Sequence, residues 1–186
     1  MKRLTWLTLL LLLLISGCAV QQGPCTHKDS DKNGICDSCR ESVMTTFDVY
    51  SINDLHGKIA DGADHPGVDE LTTYLEQARQ TDDNVILLSA GDMWQGSWES
   101  NLTDGILTTD WMNEAGFTAM TLGNHEFDWG EEKIEKNAEF AQFPLLAINI
   151  YDRNTDEPVD YCQPSVVVEF DGIQVGIIGA IGDCYS

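Results

Sequence analysis

Five polar residues in the middle of the chain have the types and spacing of ligands for divalent metal ions. They follow three apolar stretches and are Asp54, His56, Asp92, Asn124 and His125. Carboxylate, imidazole and amide oxygen suit ions such as Mn²⁺, Zn²⁺ or Fe²⁺, and a shared carboxylate can bridge two of them about 3.5–4 Å apart. One Gly-Asn-His tripeptide fits a structural turn equally well. Three polar clusters, each at the end of an apolar stretch, favour a metal site over a set of structural turns.

The elements that must position these residues alternate between strand and helix patterns. The predicted strands before the clusters are TTFDVYSI, NVILLSA and FTAMTL, and the predicted helices are VDELTTYLEQARQ, GILTTDWMNEAG and EEKIEKNAEFAQ. Such alternation predicts right-handed crossovers and a largely buried sheet. Functional groups in these sheets gather beyond the carboxyl ends of the strands. Asp54 and His56 are two residues apart, so an extended backbone would point both side chains the same way.

Three more strands are predicted after the third helix. They are PLLAINI, SVVVEF and IQVGIIGAIG, and Asp171-Gly172 between the last two is a hairpin signal. The sequence therefore predicts an α/β fold.

The strings NDLHG, GDMWQGS and GNHEFDWG resemble the signature of calcineurin-like metallophosphoesterases. They are most similar to the branch that contains bacterial secreted 5'-nucleotidases and 2',3'-cyclic-nucleotide phosphodiesterases. The resemblance implies that residues 44–186 form the N-terminal part of an αββα sandwich, with a mixed sheet, helices on its faces and ligands at the C-terminal strand ends. It also implies a nucleotide or other small phosphoester as substrate.

The resemblance implies a role for each ligand residue. Asp54 and His56 would bind the first metal, Asp92 would bridge both metals, and Asn124 would bind the second. The implied reaction is in-line attack on phosphorus by a metal-bound hydroxide.

Two residues are implied to act on the phosphoryl group instead. His125 would face it as an imidazolium and assist the leaving oxygen, and Asp128 would orient His125. An alternative for Asp128 is a cap for the helix that follows.

The sequence departs from the family pattern after His125, since it contains no further histidine. Members of the family complete their metal shells with downstream histidines, including a Gly-His-x-His motif. Two explanations stay open: the chain is the N-terminal piece of a longer product, or it is a reduced protein. Either way we expect weak metal affinity and little turnover from this chain alone. The alternative function is a catalytically incomplete, lipid-anchored cation-binding protein.

The start of the chain predicts export. MKRLTWLTLLLLLLISGC has a basic beginning and a short apolar stretch, which is typical of a signal peptide. Its end resembles the lipobox of bacterial lipoproteins, which implies cleavage after residues 1–17, lipidation of Cys18 and an extracytoplasmic location at the bacterial cell membrane. The alternative is an ordinary cleaved signal or an anchor helix. With 31 acidic and 10 basic residues, the chain is a poor partner for nucleic acid polymers.

Residues 18–43 form a predicted linker that carries two overlapping cation-binding patterns. One matches part of a calcium loop and consists of Asp29, Asp31, Asn33 and Asp37, although Arg40 stands where that loop needs a bidentate Glu. The other offers soft ligands at zinc-like spacing and consists of Cys25, His27, Cys36 and Cys39. A disulfide-stapled or flexible spacer is the structural alternative.

Overall fold

The computed structural model describes residues 25–41, 44–63, 65–82, 84–170 and 172–182. The chain divides into two compact units, residues 1–45 and 46–186. The predicted signal peptide, the lipidation site Cys18 and Asp171 of the hairpin signal lie outside the described residues. Within the described ranges, every helix is too short or too polar to span a bilayer.

The larger unit is built on a four-stranded parallel sheet. Its strands lie side by side in chain order and are β1 (Asp48–Ser51), β2 (Val85–Ser89), β3 (Ala119–Thr121) and β4 (Leu145–Leu146). All four run the same way, so the segments that follow them emerge at one edge of the sheet. We call the first three of these segments loop 1 (residues 52–57), loop 2 (90–97) and loop 3 (122–130).

Helices connect the strands, as the sequence patterns predicted. They are α1 (Asp69–Thr81), α2 (Trp98–Leu102), α3 (Ile106–Ala115) and α4 (Glu131–Phe140), with a short 3₁₀ helix at His125–Phe127. The sequence patterns did not predict α2, a single turn in which the hydroxyl of the N-cap residue Ser97 accepts a hydrogen bond from the N–H of Ser100. The end of α3 is set by Gly116, which takes up the left-handed conformation (φ 71°) that favours glycine.

The helices α1, α3 and α4 pack on one face of the sheet. Leu75, Met112 and Ile134 from these helices are almost fully buried, in one core with Leu87 of β2 and Met120 of β3. Burying such side chains contributes about 1.5–3 kcal/mol each. This core fixes the strands, and therefore the three loops, relative to each other.

The opposite face of the sheet meets an antiparallel pair of strands, β5 (Ser165–Phe170) and β6 (Ile173–Ile178). A cavity of about 190 Å³ is lined by Leu88 and Leu146 from the sheet and by Ile177 and Ile178 from β6. The order of layers is therefore helices, parallel sheet, antiparallel pair.

The α/β class is confirmed, and the described strands form two separate sheets, one parallel and one antiparallel. The reason is visible at the edge of β4, which pairs with Gln163 through two main-chain hydrogen bonds at Leu145 and Ala147. That contact is an isolated bridge, so β5, which begins two residues later, turns away and pairs with β6 instead.

Candidate metal centre

Loops 1, 2 and 3 bring three potential ligands together at one edge of the parallel sheet. His56, Asp92 and His125 each have a ligand atom within 4.8 Å of the other two. The imidazole rings of His56 and His125 meet edge to face, with centroids 5.1 Å apart. All three residues are partly buried. The arrangement suits a divalent cation, which carboxylate and imidazole ligands bind well.

Loop 1 is fastened to loop 2 by main-chain hydrogen bonds that continue beyond the strands. The N–H groups of Asp54, His56 and Gly57 donate to the carbonyls of Gly91, Asp92 and Met93, at 3.1, 3.0 and 2.8 Å respectively. These hydrogen bonds hold loop 1, which carries Asp54 and His56, beside loop 2, which carries Asp92.

The backbone is left-handed at three of the predicted ligands. Asp54, His56 and Asp92 have φ values of 55°, 52° and 57°. The expected extended backbone between Asp54 and His56 is therefore wrong, because β1 ends at Ser51 and the chain turns within loop 1. Non-glycine residues in this region cost of order 1–3 kcal/mol each and persist only where surrounding contacts impose them. Such strain clusters at functional sites.

The orientation of His56 is set by loop 2. Its Nδ1 lies 2.7 Å from the carbonyl oxygen of Gln95. A carbonyl can only accept, so Nδ1 carries the proton and the lone pair of Nε2 is free for a metal. Histidines that bind metals usually donate their other ring N–H in this way, which fixes the tautomer and the orientation of the ring.

A buried carboxylate, Glu126, ties loop 3 to loop 2. Its side chain is fully buried and accepts four main-chain hydrogen bonds. The donors are the N–H groups of Asp92 (2.8 Å), Met93 (2.8 Å), Trp94 (3.4 Å) and Gly123 (2.7 Å). Glu126 was absent from the residues selected by sequence; the only signal was an acid next to the Asn-His pair.

The charge state of Glu126 follows from these donors. Burial raises the pKa of its carboxyl, and the main-chain N–H groups oppose that rise. A protonated carboxyl would turn its O–H towards a donor, so the ionised form fits this site.

Two glycines let loops 2 and 3 approach closely. A Cβ on Gly91, whose φ is 100°, would collide with the main chain of Gly123. A Cβ on Gly123 would collide with Asp92. This contact allows the N–H of His125 to donate to Oδ1 of Asp92 at 2.8 Å.

His125 is paired with Asp128 across one turn of loop 3. Nδ1 of His125 lies 2.9 Å from Oδ2 of Asp128, and both side chains are more than a third exposed. This hydrogen bond raises the pKa of His125, while desolvation acts in the opposite direction. Helix α4 begins at Glu131 with Gly130 as its N-cap, so Asp128 does not cap it.

The other two predicted ligands lie beside this group. Asp54 is in loop 1, two residues before His56, and is not among the three residues within 4.8 Å of one another. Asn124 precedes His125 in loop 3 and adopts helical backbone angles at the start of the 3₁₀ helix.

We predict that Glu126→Gln destabilises the protein, because one carboxylate oxygen becomes an NH₂ group that faces main-chain donors. Unsatisfied buried donors cost roughly 1–3 kcal/mol. Urea unfolding measures the loss, with the exposed Glu114→Gln as the matched control. Equal stability of the two variants would contradict the role given to Glu126.

We predict that Asp128→Asn lowers the pKa of His125 in the metal-free protein, since a neutral amide stabilises imidazolium less than a carboxylate does. The raised pKa means that the ion pair stabilises the fold at low pH and that this contribution is lost as pH rises through the His125 pKa. An NMR titration of the His125 ring measures the shift, with Asp110→Asn as control. An unchanged titration would show that Asp128 does not act on His125.

Comparison with known proteins places this site in a family. The family model described as calcineurin-like phosphoesterase matches residues 47–175. A 5'-nucleotidase from Vibrio parahaemolyticus is 31% identical over 177 residues, which cover 94% of this chain and 30% of that protein. A 5'-nucleotidase from Rattus norvegicus is 35% identical over 145 residues, covering 70% of this chain and 25% of that protein. The chain thus spans between a quarter and a third of the length of these relatives.

Solved structures agree with the sequence comparisons. The NAD nucleotidase of Haemophilus influenzae superposes with a TM-score of 0.66 at 28% identity, covering 74% of this chain and 26% of that one. A 5'-nucleotidase precursor from Thermus thermophilus gives a TM-score of 0.65 at 27% identity, covering 73% of this chain and 28% of that one. With the strand-end loops and their Asp and His residues in place, the chain belongs to the calcineurin-like phosphoesterase family.

Proposed function

We propose that this protein hydrolyses phosphoester bonds of nucleotides outside the cytoplasm, using divalent ions held by loops 1, 2 and 3. The observation that carries the proposal is the meeting of His56, Asp92 and His125 within 4.8 Å at the ends of three parallel strands. The nucleotide class is supported by the relatives described as 5'-nucleotidases.

The donor types in loops 1, 2 and 3 suit a pair of divalent ions. Asp54 and His56 would hold the first ion, Asp92 would bridge both, and Asn124 would hold the second. The free Nε2 of His56, fixed by the Gln95 carbonyl, supports this assignment. When bound, the ions supply an activated hydroxide and neutralise charge on the phosphoryl oxygens.

Four side chains leave much of two coordination shells to water, substrate or other groups, because each ion takes about four to six ligands. We therefore propose that this chain carries the N-terminal half of the site. Its affinity for manganese should be weak and its turnover slow.

His125 is proposed to transfer a proton to the leaving oxygen. The Asp128 carboxylate can only accept from Nδ1, so that atom carries a proton and Nε2 is the atom left to exchange one. The pKa raised by Asp128 keeps a larger fraction of His125 protonated near neutral pH. His125 also lies close enough to His56 and Asp92 to ligate a metal, so the two roles need an experiment to separate them.

The proposed location of the protein outside the cytoplasm is based on the sequence of residues 1–43. We propose that residues 1–17 are a signal peptide, that Cys18 carries the lipid that holds the protein at the membrane, and that residues 18–43 link it to the phosphoesterase part, residues 44–186.

The proposed activity predicts manganese-dependent release of phosphate from a nucleoside 5'-monophosphate by the purified chain. Asp92→Asn should abolish the release and weaken manganese binding by at least about tenfold, because the bridging ligand is lost. The exposed Asp110→Asn, on α3, should change neither quantity. Manganese binding that depends on Asp92 without any phosphate release would contradict hydrolysis and favour the non-catalytic cation-binding protein.

The proposed role of His125 predicts that its replacement lowers the rate of phosphate release but not the affinity for manganese. His125→Asn should lower the rate of phosphate release by about 10²–10⁴-fold, the usual contribution of a positioned acid, and leave manganese affinity nearly unchanged. Isothermal titration and the phosphate assay on the same preparation measure both. Loss of manganese binding in this variant would make His125 a metal ligand instead.

A further inference from the structure

We propose that residues 25–41 bind one zinc ion through Cys25, His27, Cys36 and Cys39, at a site separate from the phosphoesterase centre. The four residues each offer a ligand atom, and these atoms all lie within 4.8 Å of one another. The family match begins at residue 47, so this segment is not part of the matched phosphoesterase domain.

The distances suit tetrahedral zinc. The sulfur atoms of Cys25 and Cys36 are 3.3 Å apart, and Sγ of Cys39 is 3.6 Å from Nδ1 of His27. With Zn–S near 2.3 Å and Zn–N near 2.0 Å, ligand atoms of a tetrahedral site lie about 3.5–3.8 Å from each other. The sulfur–nitrogen distance falls in this range, and the two sulfur atoms would move apart by a few tenths of an ångström to take up zinc. A ligand set of three cysteines and one histidine is one of the usual structural zinc sites.

A turn brings the two halves of this ligand set together. The carboxylate of Asp29 accepts hydrogen bonds from the N–H groups of Asn33 (3.1 Å) and Gly34 (2.8 Å). The N–H of Asp37 donates to the carbonyl of Lys28 at 2.9 Å. These bonds hold the Cys-x-His arm beside the Cys-x-x-Cys arm.

Among the described residues 25–41 there is almost no apolar core. Apart from Gly34, Cys36 is the one buried residue among the described residues 25–41. A segment this short cannot bury enough apolar surface to fold by itself. Zinc binding supplies free energy directly to folding in such modules.

The calcium pattern in the same segment is less well supported. Asp29, Asp31 and Asp37 lie within 4.8 Å of one another, but their carboxylates accept hydrogen bonds within the turn. The hydrogen bonds that stabilise the turn are enough to explain why these acidic side chains lie close together. The calcium site therefore stays a prediction from sequence.

The cysteines of this segment are available as ligands. All four cysteines in the described residues are free thiols. Zinc binding forms three Zn–S bonds and one Zn–N bond and releases the thiol protons to solvent, with no electron transfer. The carboxylate of Glu41, 3.6 Å from Sγ of Cys39 and 4.0 Å from the imidazole of His27, adds negative charge beside the cation.

The test is cobalt and zinc binding to the full chain, purified without reductant and stripped of metal. Cobalt bound by cysteine thiolates gives sulfur-to-metal charge-transfer absorption, which the phosphoesterase centre cannot give because its candidate ligands contain no sulfur. We expect this absorption to saturate at about one cobalt per chain and to be displaced by zinc. Excess calcium should leave it unchanged.

Matched variants locate the site. Cys36→Ser and Cys39→Ser should each weaken zinc binding by more than about 100-fold, since even outer-shell changes cost 10–100-fold. Cys162→Ser, which removes a cysteine of the larger unit, and Asp92→Asn should leave the absorption intact. Both cysteine variants should keep the manganese binding of the phosphoesterase centre.

Three results would overturn the proposal. They are a thiol count showing a disulfide between cysteines of the segment in the purified protein, absence of thiolate absorption with cobalt, and absorption that survives Cys36→Ser. None of these results bears on phosphate release, so failure of the zinc site is distinguishable from failure of the proposed hydrolase activity.

Discussion

The arrangement of the candidate metal centre depends on one buried carboxylate. Glu126 accepts main-chain hydrogen bonds from loop 2 and from Gly123 of loop 3, and so joins two loops that belong to different strands. An ionised group without solvent is costly unless it is fully hydrogen-bonded, and four N–H donors meet that requirement. These hydrogen bonds leave Asp92 and His125 little freedom, because Asp92 is itself a donor and His125 is adjacent to Glu126 in the chain.

Around this link, the loops are held in conformations that the chain would not adopt alone. Asp54, His56 and Asp92 are left-handed, and the close contact between Gly91 and Gly123 excludes any side chain. The core under the sheet supports the strain by fixing the strands. The cost of folding the loops is met by packing, and the candidate ligands are preorganised before a cation arrives.

Much of this could be predicted from the sequence, and the failures have physical causes. Apolar runs predicted the strands, and helical spacing predicted α1, α3 and α4, because those patterns depend on local periodicity. The meeting of His56 and Asp92 followed from the geometry of parallel strands. The prediction of an extended backbone in loop 1 was wrong, because left-handed Asp and His residues leave no pattern in the sequence. Glu126 was missed because its burial is set by main-chain donors 32–34 residues away in the chain, and a single acid in a polar turn gives no sign of them.

The proposed metal centre at the strand-end loops places Asp92 and His56 on the same ion. Anomalous scattering from crystals of the chain grown with manganese measures this. We expect an anomalous peak within bonding distance of the Asp92 carboxylate and of Nε2 of His56. Crystals saturated with manganese that show no peak there, or peaks only elsewhere on the molecule, would contradict it.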